Sequence, residues 1–400
     1  MNKEDTQEEN PRDSLPVIFT FGSPNMVPFL EKLDDDYRLA VLQTLVGNVL
    51  KDMGHEIATI EDIVSSEMIS KARNDSLWLT HNIMDDVISK DNYGVDWLAD
   101  FTFVMMSQTI VRIMAIEEVI NEYNIRGVLL HEDVSVDGRL LADAGHRHQV
   151  PVLHMPHANH FIAPGTSDIH CSSRSDYLGV RGEYMKRWYE KCGVPSDRIE
   201  IIGAPELDRF YDTDKMPGKE HARKAFGFED DKFTICYTTS WAQNTGAWGN
   251  GQEDLFTSYK YVLQAVKDMD AQLAVKLHPH EGQKNAERYL TEANDAGVEA
   301  MLTSRYNEFM PMLADIMVVQ GSSNIAVESY ILGTPVVEMY QAGTRFPPEY
   351  NIPGSWGPDL VDKIDEARTA GLMSGFLEDM NVGPGSTERA LIWAKDKYGN

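Results

Sequence analysis

Residues 318–337 read VVQGSSNIAVESYILGTPVV. Two β-branched pairs, Val318–Val319 and Val336–Val337, bracket a polar knot, Gln320-Gly321-Ser322-Ser323-Asn324, and a run that ends at Gly333. The pattern predicts a buried strand, a tight turn, a short helix stopped by glycine, and the next strand. A helix entered straight from a strand presents free backbone N–H groups and a positive dipole end, which suit a phosphate or diphosphate. Gly321 allows close approach and Ser322 and Ser323 add hydroxyl donors. Glu328 lies roughly one and a half helical turns further on, where it can accept from ribose hydroxyls. The plainer reading is a helix capped by Ser323 or Asn324. No Gly-Lys-Ser/Thr follows and no GxGxxG occurs, so neither a Walker loop nor a dinucleotide fingerprint is present.

The same alternation extends outward through the chain. Strands are predicted at 17–21, 127–133, 150–157, 199–205, 233–240, 272–279, 316–321 and 335–339. Helices are predicted over 36–53, 103–123, 137–148, 182–194, 254–268, 284–296 and 324–332. Strands separated by single helices imply parallel sheets with right-handed crossovers. One series runs to about residue 205 and a second follows it, so the expected class is α/β with two doubly wound, Rossmann-like domains facing a central cleft. The expected limits are a disordered lead-in over 1–14, domains at 15–205 and 206–382, and a helix at 383–400 for which a crossing back to the first domain is one option.

Composition narrows the class. A chain of 400 residues is too long for one ordinary core, and 42% hydrophobic with 25% charged residues describes a globular protein. The longest apolar run, FTFVMMSQTIVRIMAI at 101–116, is broken by Ser107, Gln108 and Arg112, so no membrane span is expected. The polar, acidic start resembles no signal peptide. Three cysteines without a CxxC or Cys/His cluster argue against a disulfide framework and a structural zinc site, and favour a reducing, cytoplasmic setting. The net charge of −27 opposes broad nucleic-acid backbone binding and reads as solubility, with salt adaptation as an alternative.

Polar residues gather just after the predicted strands, where open parallel sheets bind ligands. In KLHPHEG (276–282), Lys276 has apolar neighbours on both sides and His278 ends the strand before Pro279. Either could meet an anion; a snorkelling lysine and a loop-bonded histidine are the plain alternatives. HMPHANH (154–160) puts three histidines at a strand exit without nearby acidic or cysteine ligands at metal spacing. A single histidine acting as general base, His157, is the better use, against a satisfied histidine at a strand end. HEDVSVDGR (131–139) offers Glu132 and Asp133 as base or hydroxyl acceptor, with Asp137 as the expected cap of the next helix. The loop 240–254, with three glycines and two tryptophans, reads as a lid carrying Ser240 and Trp241, or as a loop with a buried tryptophan.

In order along the chain, HMPHAN, YLGVRGEYMKRWYEKCGVPSDRIEIIGAPELDRF, CYTTSW, AVKLHPH and VVQGSSNIAVESYILGTPVV resemble segments of the GT-B superfamily of glycosyltransferases. The nearest pattern is the group of CDP-glycerol glycerophosphotransferases, surface-polysaccharide transferases and non-hydrolysing UDP-N-acetylglucosamine 2-epimerases. The resemblance implies an acceptor-side first domain and a second domain binding a UDP- or CDP-linked donor, with no tightly bound cofactor and no metal. Ser240, Trp241, Lys276, His278, Gly321, Ser322, Ser323 and Glu328 would then hold the donor. His157 would be the base or an acceptor-side group, aided by Glu132 or Asp133. The partners would be the nucleotide donor and a hydroxyl-bearing acceptor. Two patterns depart from the family. Gln320 stands where retaining members carry the first Glu of Glu-x7-Glu, and Ala242 follows Trp241 where a basic residue is common. Rival readings are an epimerase, a transferase acting on hydroxymethylated DNA bases, and a nucleotide-sugar sensor.

Overall fold

The computed structural model describes residues 14–42, 44–55, 57–87, 95–159, 171, 173–212, 214–239, 252–278, 281–305, 309–340, 345–371 and 374–399. Two parallel sheets organise the chain. The first contains β1 (Val17–Phe21), β2 (Arg38–Val41), β3 (Ile57–Thr59), β4 (Ile125–Leu130), β5 (Val152–His154), β6 (Tyr177–Val180) and β7 (Ile199–Ile201), in the order β3-β2-β1-β4-β5-β6-β7. The second contains β8 (Thr234–Thr238), β9 (Gln272–Lys276), β10 (Ala300–Thr303), β11 (Ile316–Gln320), β12 (Val336–Met339) and β13 (Gly354–Ser355), in the order β10-β9-β8-β11-β12-β13. Every paired strand is parallel, as in β1–β4 and β8–β11. Helices cover both faces, so the central strands are buried throughout: Val17–Phe21 and Ile316–Gln320 have no exposed residue.

Both sheets reverse direction once. In the first the reversal falls between β1 and β4, and in the second between β8 and β11. Those two switch points leave a crevice beyond the strands' carboxyl ends, where ligands bind in this architecture. The polar knot of 320–324 follows β11, and His131-Glu132 follows β4, so the topology puts both at switch points.

Several elements differ from the pattern-based expectation. Residues 36–53 form β2 followed by a helix at Thr44–Asp52, not one helix. The three-residue spacing of Leu39, Leu42 and Leu45 mimics a helical face, but Arg38–Val41 pairs with β1 and its inner residues are buried in the sheet. Ser135, not Asp137, caps the helix Val136–Arg147 by accepting from Gly138 N at 3.3 Å, and Asp137 pairs with Arg112 at 2.9 Å instead. Cys171 and Cys192 are joined in a disulfide, which the cysteine pattern did not suggest. The segment before β6 passes the end of the helix Glu183–Lys191 with a Cα–Cα distance of 5.0 Å, an approach that residue spacing does not reveal. Among the described residues no helix is long and apolar enough to cross a membrane.

The helix Ser386–Tyr398 packs on the first sheet, although it follows the second in sequence. Two glycines admit it. A Cβ on Gly127 in β4 would lie 2.2 Å from the Tyr398 ring, and one on Gly179 in β6 would lie 3.0 Å from Trp393. The buried Tyr398 hydroxyl donates to Val128 O at 3.1 Å, and Arg389 Nε donates to Ile202 O at 3.0 Å. Tyr398→Phe removes one buried hydrogen bond and leaves the ring in place. Its expected cost is about 1 kcal/mol, read from urea unfolding midpoints.

Candidate functional site

The first half of the site lies at the β1/β4 switch point. The carbonyl of Phe21, the last residue of β1, accepts from His131 N at 2.9 Å and from His131 Nδ1 at 2.7 Å. Nδ1 therefore carries the proton, and Nε2 keeps a lone pair. His131 is buried, its ring stacked obliquely on Phe21 and edge-on to His157 with centroids 5.2 Å apart. His157 is half-buried, and its Nδ1 is inaccessible and lacks a hydrogen-bond partner among the described residues. Burial is the chief reason that both imidazoles are pushed down to about 4; Arg181 and the neighbouring His131 add to it for His157. Both rings are thus neutral at physiological pH. With Glu132 they form a cluster whose potential ligand atoms lie within 4.8 Å of one another.

Asp133 sits below this cluster. It is 1% exposed, and its Oδ2 accepts from Ser173 Oγ at 2.9 Å, Arg174 N at 2.9 Å and Ser175 Oγ at 3.4 Å. It ties the β4 exit to the segment entering β6, while Glu132 stays half-buried beside the histidines.

The second half lies at the β8/β11 switch point. Gly321 adopts φ +62°, a conformation few other residues tolerate, and its N–H donates to Met339 O at 2.9 Å. The backbone N–H groups of Ser323 and Asn324 have no backbone acceptor among the described residues. The following helix, Ile325–Ile331, has no side-chain cap. Asn324 uses its Oδ1 differently, accepting from Asn159 N at 2.9 Å on the other domain. Gln320 points into the sheet, 1% exposed, and accepts from Tyr237 OH at 2.8 Å.

The Lys276 side chain is 4% exposed and donates to Leu277 O at 2.8 Å. His278 N donates to Thr239 Oγ1 at 2.9 Å, and Glu281 N donates to the His278 carbonyl at 2.9 Å. Burial pushes Glu281 up to about 7 against the pull of Thr239 and Lys276. Ser240 and Trp241 lie outside the described residues.

Arg181 closes the junction between the halves. It is 3% exposed, leaves β6, and donates to Pro156 O at 3.4 Å, to His157 O at 2.5 Å and to the Glu206 carboxylate. Glu328 lies within the field of the same group. Burial and Glu206 raise it to about 7, while Arg209, Arg181 and Lys276 pull the other way. One of its carboxylate oxygens is inaccessible and without a hydrogen-bond partner among the described residues. Pattern reading singled out His157, Glu132, Gly321, Ser322, Ser323 and Glu328, which lie at the two switch points, took Asn324 only for a helix cap, and passed over His131, Arg181, Glu206 and Asn159. The available signal for Arg181 was a lone basic residue directly after the apolar strand YLGV.

Two Rossmann-like domains whose switch points meet define the GT-B type of fold. Residues 147–339 match the family described as CDP-glycerol:poly(glycerophosphate) glycerophosphotransferase. Among solved structures, the UDP-GlcNAc 2-epimerase from Neisseria meningitidis bound to UDP-GlcNAc aligns with TM-score 0.61 at 15% identity, over 96% of this chain and 100% of that one. The UDP-GlcNAc 2-epimerase from Methanocaldococcus jannaschii aligns with TM-score 0.58 at 15% identity, over 96% and 99%. A glycosyltransferase from Rickettsia africae aligns with TM-score 0.52 at 11% identity, over 96% and 93%. No curated protein matches the sequence.

Proposed function

We propose that the chain is a transferase that moves a sugar or polyol-phosphate from a UDP- or CDP-linked donor to a hydroxyl acceptor by direct displacement. The observation that carries this reading is the juxtaposition of two unlike half-sites. Neutral His157 and Glu132 stand at one switch point, and the Gly321–Asn324 turn with Glu328 stands at the other, joined through Asn159 and Asn324. The glycerophosphotransferase family match, which takes in His157 and the Gly321–Asn324 turn with Glu328, supports it.

In this reading the turn amides and the hydroxyls of Ser322 and Ser323 receive the donor diphosphate, and Glu328 receives the ribose hydroxyls. Lys276 and His278 would line the same side, and Ser240 and Trp241, which follow β8 in sequence, would join them. His157 takes the acceptor proton as the acceptor oxygen attacks the transferred group, and the bond to the departing nucleotide phosphate breaks with its electron pair. The transfer itself needs no metal, and the protein works in the cytoplasm, where nucleotide-linked donors are made.

The test is thermal stabilisation by UDP-, CDP-, GDP- and ADP-linked donors, followed by product analysis with hydroxyl acceptors. A donor at about 100 times its Kd adds about 2.7 kcal/mol. If none of the four shifts the melting curve, the reading fails. Clustering of Glu132 with two histidines also suits acid–base work at a sugar carbon, so an epimerase is the second reading. Conversion of the donor, in the absence of acceptor, into an epimer still linked to its nucleotide would favour it.

Glu328 supplies a pH signature. Its carboxyl is raised from 4.5 to about 7, so it is protonated below that value and gains its charge above it. An ionised carboxylate accepts ribose hydroxyls better than a neutral acid. Donor affinity should therefore weaken as pH falls from 8 to 6, and Glu328→Gln should flatten that dependence in calorimetric titrations.

A further inference from the structure

We propose that His131, Glu132 and His157 form a binding site for a divalent transition cation of the Zn²⁺ class, and that filling it removes His157 from service as the base. The first half of this proposal stands on geometry alone; the second rests on the proposed role of His157.

The donor set is two imidazoles and one carboxylate, which with an open fourth position is a common zinc arrangement. Mg²⁺ and Ca²⁺ prefer oxygen-only shells and suit it poorly. The lone pairs are already oriented. His131 donates from Nδ1 to Phe21 O at 2.7 Å, the kind of outer hydrogen bond that fixes a ligating histidine and leaves Nε2 free for metal. His157 Nδ1 is inaccessible and unpartnered among the described residues, so no hydrogen bond at that nitrogen competes with a metal. Bonds of about 2.0–2.1 Å place tetrahedral ligands about 3.4 Å apart, and the three atoms here lie within 4.8 Å. Side-chain rotation of the half-buried Glu132 and His157 closes that gap without moving His131. The net charge of −27 also concentrates cations near the protein.

A histidine bound to metal through the nitrogen that would take the acceptor proton has no lone pair left for it. Metal binding at this cluster is therefore inhibitory, whereas donor binding on the other domain is untouched.

The experiment titrates the full chain with Co²⁺ as a spectroscopic probe, then with Zn²⁺ by calorimetry. Visible cobalt bands should saturate at one equivalent. Affinity should fall at least about ten-fold in His131→Gln and in Glu132→Gln, and remain in His148→Ala, which removes the surface histidine beside Glu117. Donor-induced stabilisation should persist in the metal-loaded protein while transfer is lost, and a chelator should restore transfer. Absence of a one-to-one complex, or undiminished affinity in both cluster variants, overturns the site and leaves the base assignment standing. Binding accompanied by faster transfer overturns the inhibitory role and the base assignment together. Cobalt binding is read without donor or acceptor, so it decides the site even if no transfer is found.

Discussion

His157→Ala should lower the rate of transfer by about 10²–10⁴-fold while leaving donor-induced stabilisation unchanged. The two readouts separate because the histidine and the donor turn lie on different domains. A half-buried, neutral imidazole with an unpartnered nitrogen can accept a proton at any pH above about 4, so lowering the pH within the usual assay range does not mimic its removal. The control is Lys224→Ala, an exposed residue in the last turn of the helix Lys219–Ala225, which should change neither readout. If His157→Ala keeps near-normal transfer, the base lies elsewhere, and Glu132→Gln becomes the next variant to assay.

Arg181→Ala should destabilise the fold by about 3–5 kcal/mol, measured from denaturant midpoints. The guanidinium is nearly inaccessible and serves the carbonyls of Pro156 and His157 as well as the Glu206 carboxylate. Deleting it strands a carboxylate and two carbonyls at the junction of the domains. The double variant Arg181→Met with Glu206→Leu should recover much of the loss, because it removes both charges together. A loss below 1 kcal/mol for Arg181→Ala would show that water replaces the guanidinium freely and that the junction is open there.

What could be read from the sequence depended on the length of the physical signal. The β4, β8 and β11 strands announce themselves as apolar runs flanked by glycine or polar turns, and the class of fold follows from their alternation with helices. The β3, β6, β10 and β13 strands were not seen, and β2 imitates a helix face. At the site, residues at strand exits were legible because parallel topology concentrates polar groups there. Asn159 and Asn324 were not, since their meeting depends on how two domains dock. The same holds for the Cys171–Cys192 pair, which is made by a loop passing a helix end.

The helix Ser386–Tyr398, seated on Gly127 and Gly179, also sets a timetable for the protein's synthesis. Strands β1 to β7 emerge from the ribosome first, but the apolar cluster they share with Ala390, Leu391, Trp393, Ala394 and Tyr398 stays open until nearly two hundred further residues have followed. The first domain must therefore wait, partly uncovered, while the second is made. Nascent chains stalled before residue 386 should bind chaperones through the surface that this helix later covers.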